Sequence, residues 1–219
     1  MSYWLKICGL RYEADAKFCV SKKVNAIGML IARSKESKTY KDILSWENAK
    51  NIAQITKQSE TNSVLLCHIE DVSLLSKAVE YIQPDALQIQ FKADLFKIAE
   101  LRNIFPNTLI VQTLRAKGQP AEELKYEIES TLGEQNAQYV IVDSQIGGSG
   151  HRYDWGILNK IPEEFLHKRV IIAGGIHAAN IVDAQNTINP FGFDIMSGAR
   201  EKRGVLDYDK VTVLTNLCF

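Results

Sequence analysis

Two residues of this chain have the chemistry of a base and an acid, and each stands where an apolar run ends. Cys8 closes the run that begins at Leu5 and precedes Gly9, and Asp143 closes the run that begins at Tyr139. A thiolate can remove a proton, and a carboxyl group whose pKa is raised by a partly apolar site can donate one. The alternatives are a small buried hydrophobe for Cys8 and a loop-capping carboxylate for Asp143.

Lys6 is the nearest cation to Cys8 along the chain. Side chains alternate between the two faces of a strand, so Lys6 and Cys8 share one face. If the strand lines a barrel, Lys6 lies below the thiol inside it. A cation there would lower the pKa of the thiol from its free value of about 8.5.

Glycine clusters follow three of the predicted strands. Glycines allow backbone amides to approach an anion closely, and barrels often bind phosphate on the loops after their last strands. We therefore predict a phosphate site on these loops. Its residues are Gly147, Gly148, Ser149, Gly150, Gly174, Gly175, Ser197 and Gly198.

The elements that position these residues alternate between strands and helices along the whole chain. The predicted strands are Leu5 to Cys8, Ala26 to Ile31, Ser63 to Ile69, Ala86 to Gln90, Thr108 to Thr113, Tyr139 to Asp143, Arg169 to Ala173 and Gly192 to Met196. Helical spacing separates them, with a short helix near residues 153–159. Eight such units without a composition break predict a single (β/α)₈ barrel domain over residues 1–219. A doubly wound sheet is the alternative, although its G-x-G-x-x-G fingerprint is absent after the first strand.

Composition argues against several classes of function. Lys plus Arg and Asp plus Glu both total 26, so nothing favours a nucleic-acid or membrane partner. The four cysteines form no C-x-x-C pair, which argues against a zinc site or a disulfide framework. The amino-terminal segment "MSYWLKICGL" lacks the features of a signal peptide, so we expect a cytoplasmic protein.

Four segments carry a family resemblance that covers nearly the whole chain. In order, they are "LKICGL", "VDSQIGGSGHRYDW", "IIAGGIHAANI" and "DIMSGAREKRGVLD". Together they resemble the phosphoribosylanthranilate isomerases, barrel enzymes of tryptophan synthesis. The resemblance implies an Amadori rearrangement of a phosphorylated small-molecule substrate, with no metal and no organic cofactor. It also implies that Cys8 is the general base, that Asp143 is the general acid, and that the glycine loops hold the phosphate.

The predicted pocket for the aromatic ring departs from the family pattern. After the second strand the family has a Ser-Lys-Arg-Tyr-like segment whose arginine binds the ring carboxylate, and this chain has Thr39 in place of that arginine. Threonine cannot make a bidentate charged contact with a carboxylate. Arg33 or Lys38 could replace it, or both could be solvated loop cations.

The fourth strand departs as well. The family reads Gln-Leu-His-Gly there, whereas this chain reads Gln88, Ile89, Gln90 and Phe91. We assign Gln88 and Gln90 to the ring pocket with Arg33 and Thr39. His68 on the third strand either enters this pocket or is structural.

Three functions fit these residues. The first is a divergent phosphoribosylanthranilate isomerase. The second is an isomerase of another phosphorylated aminosugar, which would keep Cys8, Asp143 and the glycine loops. The third is a non-catalytic protein that binds a phosphorylated metabolite, and it requires that Cys8 and Asp143 do not face a common cavity. The sequence does not set the oligomeric state.

Overall fold

The computed structural model describes residues 2–31, 43–91, 93–133, 136–144, 153–202 and 205–219. Among them is a nine-stranded sheet, of which eight parallel strands close into a barrel because β1 pairs with both β2 and β9. This confirms the predicted (β/α)₈ barrel. The barrel strands are β1 (Trp4–Ile7), β2 (Ala26–Ile31), β4 (Asn62–Cys67), β5 (Ala86–Ile89), β6 (Leu109–Ala116), β7 (Tyr139–Ser144), β8 (Val170–Ile172) and β9 (Gly192–Ile195).

Helices cover the outside of the barrel. They are α1 (Glu13–Ser21), α2 (Trp46–Thr56), α3 (Val72–Ile82), α4 (Leu95–Ile104), α5 (Ala121–Thr131), α6 (Glu163–Arg169), α7 (Ile181–Ile188) and α8 (Tyr208–Cys218). Four of them begin at a side chain that accepts a hydrogen bond from a first-turn amide, which fixes where the helix starts. These caps are Ser45, Asp71, Asp94 and Asp207. In the described part of the chain, no helix has both the length and the apolar character needed to cross a bilayer.

Several elements lie outside the regular pattern. A short strand, β3 (Ile43–Leu44), pairs with β2 outside the ring, and β10 (Arg200–Lys202) and β11 (Val205–Leu206) form an antiparallel pair after β9. The short helix predicted near residues 153–159 is a 3₁₀ helix, Trp155–Lys160, and α6 follows it. Arg169, which we predicted to open a strand, instead ends α6.

The two ends of the barrel differ in how they are filled. At the amino-terminal ends of the strands, the ring of Phe191 stacks on the rings of Trp4 and Tyr139, with centroids 6.0 and 5.2 Å apart. Small and branched inward side chains such as Ala26, Val64 and Ile141 pack above these rings. The aromatic rings therefore fill the amino-terminal end, and chemistry must occur at the carboxyl end, where the βα loops meet.

The outward face of the strands supplies most of the apolar core. Phe193 on β9 is fully buried there, with its ring centroid 5.6 Å from that of Tyr3. We expect Phe193→Ala to lower the free energy of unfolding by about 3–5 kcal/mol, because it leaves a cavity in a packed layer. Urea denaturation checks this. The control is Phe96→Ala, since Phe96 is 82% exposed and its loss should change stability by less than about 0.5 kcal/mol. Equal effects of the two substitutions would contradict the packing described here.

Candidate active site

Cys8 lies just beyond β1 on the inner face of the barrel, among the inward apolar side chains. It is 4% exposed. Burial, together with the charge of Asp194, raises the pKa of the thiol to about 11, although Lys6 acts to lower it. The cation expected from the sequence is therefore present, but in the protein alone burial outweighs it.

Lys6 is buried in the barrel interior, as strand alternation predicts. Its Nζ lies 2.8 Å from Oδ1 of Asp194, the residue directly opposite it on β9. Burial lowers the pKa of Lys6, but the charges of Asp194 and Cys8 more than offset this and raise it overall. A charged ammonium group is therefore held next to Cys8.

Asp143 lies near the carboxyl end of β7, and its side chain is 15% exposed. One of its oxygens accepts a hydrogen bond from Nη1 of Arg115, and the other accepts one of 2.7 Å from the amide of Ser144. Burial raises the pKa of Asp143, Arg115 lowers it and Asp194 raises it, and the net shift is upward. Asp143 thus has the environment of a proton donor.

The loop after β8 is shaped around this carboxylate. Gly174 has a φ of +81°, and a Cβ there would lie 2.9 Å from Oδ1 of Asp143 and 2.8 Å from the amide of Ser144. A side chain at this position would displace the carboxylate of Asp143. Gly174 is one of the predicted phosphate residues, and in the structure it lies against Asp143.

Other predicted phosphate residues meet around one cavity of about 420 Å³. It is lined by Gly175, His177, Ala178, Ala179, Ser197, Gly198 and Lys210. Asn180, which precedes α7, holds the loop by donating to the carbonyl of Gly175 at 2.9 Å and accepting from the amide of His177. Gly147, Gly148, Ser149 and Gly150 lie outside the described residues.

The predicted ring pocket is described only in part. Arg33, Lys38 and Thr39 lie outside the described residues. The side chain of Gln88 is buried, and its Nε2 donates to Oγ1 of Thr113 at 3.1 Å. Within the described part of the chain, Oε1 of Gln88 has no hydrogen-bond partner. Such a buried acceptor is suited to a donor on a bound molecule.

Gln90 is tied to the acid through a residue that the sequence reasoning missed. Its Oε1 accepts a hydrogen bond of 2.9 Å from Nη2 of Arg115, whose Nη1 contacts Asp143. Arg115 could have been found from strand alternation, because Val111 and Thr113 on the same strand also face inward. The sequence reasoning also missed His177, Asp194 and Lys210. The one sequence signal for these residues is that each lies close to the end of a strand or helix.

A metal site does not emerge from the side chains that the structure describes. Among those residues, no group of three or more His, Cys, Asp and Glu side chains could hold an ion. The charged groups at this rim contact one another.

The comparison with known proteins identifies the family. A family model described as N-(5′-phosphoribosyl)anthranilate (PRA) isomerase matches residues 5–216. This chain belongs to the PRA isomerase family. A relative from Methanosarcina mazei, N-(5′-phosphoribosyl)anthranilate isomerase 2, is 26% identical over 211 residues, which cover 94% of this chain and 90% of the relative.

Solved structures of the family share the fold. The phosphoribosylanthranilate isomerase of Thermotoga maritima superposes with a TM-score of 0.78 at 18% identity, covering 100% of this chain and 98% of that one. A phosphoribosylanthranilate isomerase in complex with reduced 1-(o-carboxyphenylamino)-1-deoxyribulose 5-phosphate gives 0.76 at the same identity and coverage.

The contact between Arg115 and Asp143 generates a test. The guanidinium charge lowers the pKa of Asp143, so Arg115→Gln should raise it. Carbon-13 NMR titration of the side-chain carboxyl groups measures this, and Asp143→Asn identifies the signal. The control is Arg102→Gln, because Arg102 donates to a backbone carbonyl elsewhere. An unchanged or lower pKa in Arg115→Gln would contradict the ion pair.

Proposed function

We propose that this chain catalyses the Amadori rearrangement of N-(5′-phosphoribosyl)anthranilate to its 1-deoxyribulose isomer, the isomerase step of tryptophan synthesis. The observation that carries the proposal is the family match over residues 5–216, in a barrel that holds Cys8 and Asp143 at its carboxyl end. Both residues lie close enough to Asp194 for its charge to affect their pKa values. This common surrounding favours an enzyme over a non-catalytic binding protein. A cytoplasmic location stays a prediction from the sequence.

Asp143 is the proton donor for ring opening. Its carboxyl proton goes to the ring oxygen of the ribose, the bond between C1′ and that oxygen breaks, and the lone pair of the anilino nitrogen forms a C=N⁺ bond. The raised pKa of Asp143 supports this role, because it increases the fraction of the carboxyl group that is protonated at neutral pH.

Cys8 is the base for the second step. Its thiolate takes the proton from C2′, the electrons of that bond form C1′=C2′, and the π electrons of the C=N⁺ bond return to nitrogen. The product is an enolamine, which tautomerises to the ketone. Asp143 then carries the negative charge and Cys8 carries a proton, so the pair exchanges its protonation states over the two steps.

The cavity formed by the loops after β8 and β9 is the phosphate site. Backbone amides of Gly175, Ser197 and Gly198 are suited to phosphate oxygens, and Lys210 supplies a positive charge at the same cavity. Gly147 to Gly150 complete the site in this proposal. The bound 5-phosphate compound in a family structure supports it.

The aromatic half of the substrate lies toward β5 and β6. Gln88 offers a buried acceptor for a substrate N–H or hydroxyl group, and Gln90 keeps the Arg115 guanidinium at the rim. Arg33 and Thr39 remain the sequence-based candidates for the side that faces the ring carboxylate.

Replacing either member of the acid–base pair tests the reaction. Cys8→Ser and Asp143→Asn should each lower kcat for N-(5′-phosphoribosyl)anthranilate by about a hundredfold or more, with the fold unchanged by circular dichroism. A buried cysteine remote from the rim, Cys218→Ser, is the control. Turnover near the parental rate in either site variant would show that the roles are wrong. Absence of parental turnover on this substrate, together with turnover of another phosphorylated aminosugar, would favour the second function.

Inorganic phosphate tests the anion cavity. Lys210→Met should weaken phosphate binding roughly tenfold to a hundredfold, because a charge-assisted hydrogen bond contributes about 1.5–3 kcal/mol. Isothermal titration calorimetry measures the Kd. Lys50→Met, which removes a cation from the groove between α2 and α3, should leave it unchanged. Equal affinity in the parent and Lys210→Met would remove Lys210 from the site.

A further inference from the structure

The inner face of the barrel contains the buried ion pair of Lys6 and Asp194, in addition to the pair of Arg115 and Asp143. The neighbours of Lys6 indicate what this pair does in the reaction. Lys6 is completely buried, and its Nζ is bonded to Asp194 at 2.8 Å. A lysine is almost never fully buried without a partner, and removing two charges from water costs several kcal/mol per ion before their attraction is counted. The stability of the barrel alone gives no reason to prefer this pair over apolar residues of similar volume.

The position of Lys6 relative to Cys8 supplies a reason. The two side chains follow each other on the inner face of β1, and Gly28 on β2 faces both of them. A Cβ on Gly28 would lie 3.0 Å from Sγ of Cys8 and 3.0 Å from Nζ of Lys6. The side chain of Lys6 also contributes a hydrogen bond to the thiol. The ammonium group thus lies between the carboxylate of Asp194 and the sulfur of Cys8.

We propose that Lys6, held in place by Asp194, is a positioning residue that stabilises the thiolate of Cys8. The inference rests on the proposed function, in which that thiolate removes the C2′ proton. Lys6 acts on the reaction only through Cys8, because it lies one inward position below the thiol, toward the aromatic rings that fill the amino-terminal end of the barrel.

Among the described residues, three charged groups act on Cys8 from the elements packed against it. They are Lys6 on β1, Asp194 on β9, and Arg200 on β10, whose Nη2 donates to the carbonyl oxygens of Cys8 and Gly9. Burial and Asp194 favour the neutral thiol, whereas Lys6 and Arg200 favour the thiolate. Removing Lys6 should therefore make the thiolate rarer.

The experiment measures the thiolate without using activity. The rate at which iodoacetamide alkylates Cys8 follows the thiolate fraction, and mass spectrometry separates Cys8 from the other cysteines. We compare the parent with Lys6→Met. Because Asp194 itself favours the neutral thiol, we compare the double variant Lys6→Met/Asp194→Asn with Asp194→Asn. The double variant leaves no unpaired buried charge and so keeps a folded protein available if the single variant unfolds. The matched control is Lys57→Met, which breaks a partly exposed ion pair with Asp85.

We expect the pH midpoint of Cys8 alkylation to move upward in Lys6→Met, with kcat lower by about tenfold or more and KM nearly unchanged, because each tenfold loss of thiolate costs a tenfold loss of rate. The Lys57→Met control should keep the parental midpoint and kcat. An unchanged midpoint in folded Lys6→Met, or equal midpoints in Asp194→Asn and the double variant, would overturn the proposal. A shifted midpoint in a protein whose parent does not turn over N-(5′-phosphoribosyl)anthranilate would support the effect of Lys6 on Cys8 and reject the proposed reaction instead.

Discussion

The buried ion pair between Lys6 and Asp194 ties the first strand of the barrel to the last. The two residues are direct partners in the register of β1 against β9, the pairing that closes the ring. A slip of one residue would turn Lys6 toward the apolar layer under the helices, and loss of one partner would leave an uncompensated charge at a cost of about 3–5 kcal/mol. The pair therefore favours one register at the point of closure, and that register sets where Cys8 and Asp143 stand.

The charges of this pair also act on the pKa values of Cys8, the proposed base, and Asp143, the proposed acid. Burial raises the pKa of both Cys8 and Asp143, and the charge of Asp194 acts on both in the same direction. The first step needs a proton on the carboxyl group of Asp143, whereas the second step needs a thiolate at Cys8. The reactive form thus has a protonated Asp143 and a deprotonated Cys8, and its population depends on the groups that shift these two pKa values. Lys6 favours the reactive form by stabilising the thiolate, and Arg115 opposes it by stabilising the carboxylate.

The strands could be predicted because each is a short apolar run whose two faces are both buried, and such runs stand out against polar helices. The positions of Cys8, Asp143, Gly175, Ser197 and Gly198 near the carboxyl ends of strands could be predicted because each closes or follows an apolar run, and their roles stay predictions. Strand alternation could place Arg115 on the inner face, but the partners of Arg115 and Asp194 could not be predicted. They depend on which residue faces each of them across two strands, and a single sequence does not give the register. From the sequence, the 3₁₀ helix Trp155–Lys160 could be predicted only as a short helical segment, because α6 follows it almost at once.

Arg115 connects the two halves of the proposed site. It contacts the acid with one nitrogen and Gln90 with another, and Gln90 stands where the sequence resemblance predicts a histidine. A neutral glutamine that accepts a hydrogen bond holds the guanidinium group without changing its charge. A substitution at position 90 that changes the contacts with the aromatic ring would therefore also move the Arg115 guanidinium, the cation that lowers the pKa of Asp143. In the proposed site, changes in the ring pocket and changes in the pKa of Asp143 are therefore physically coupled through Arg115.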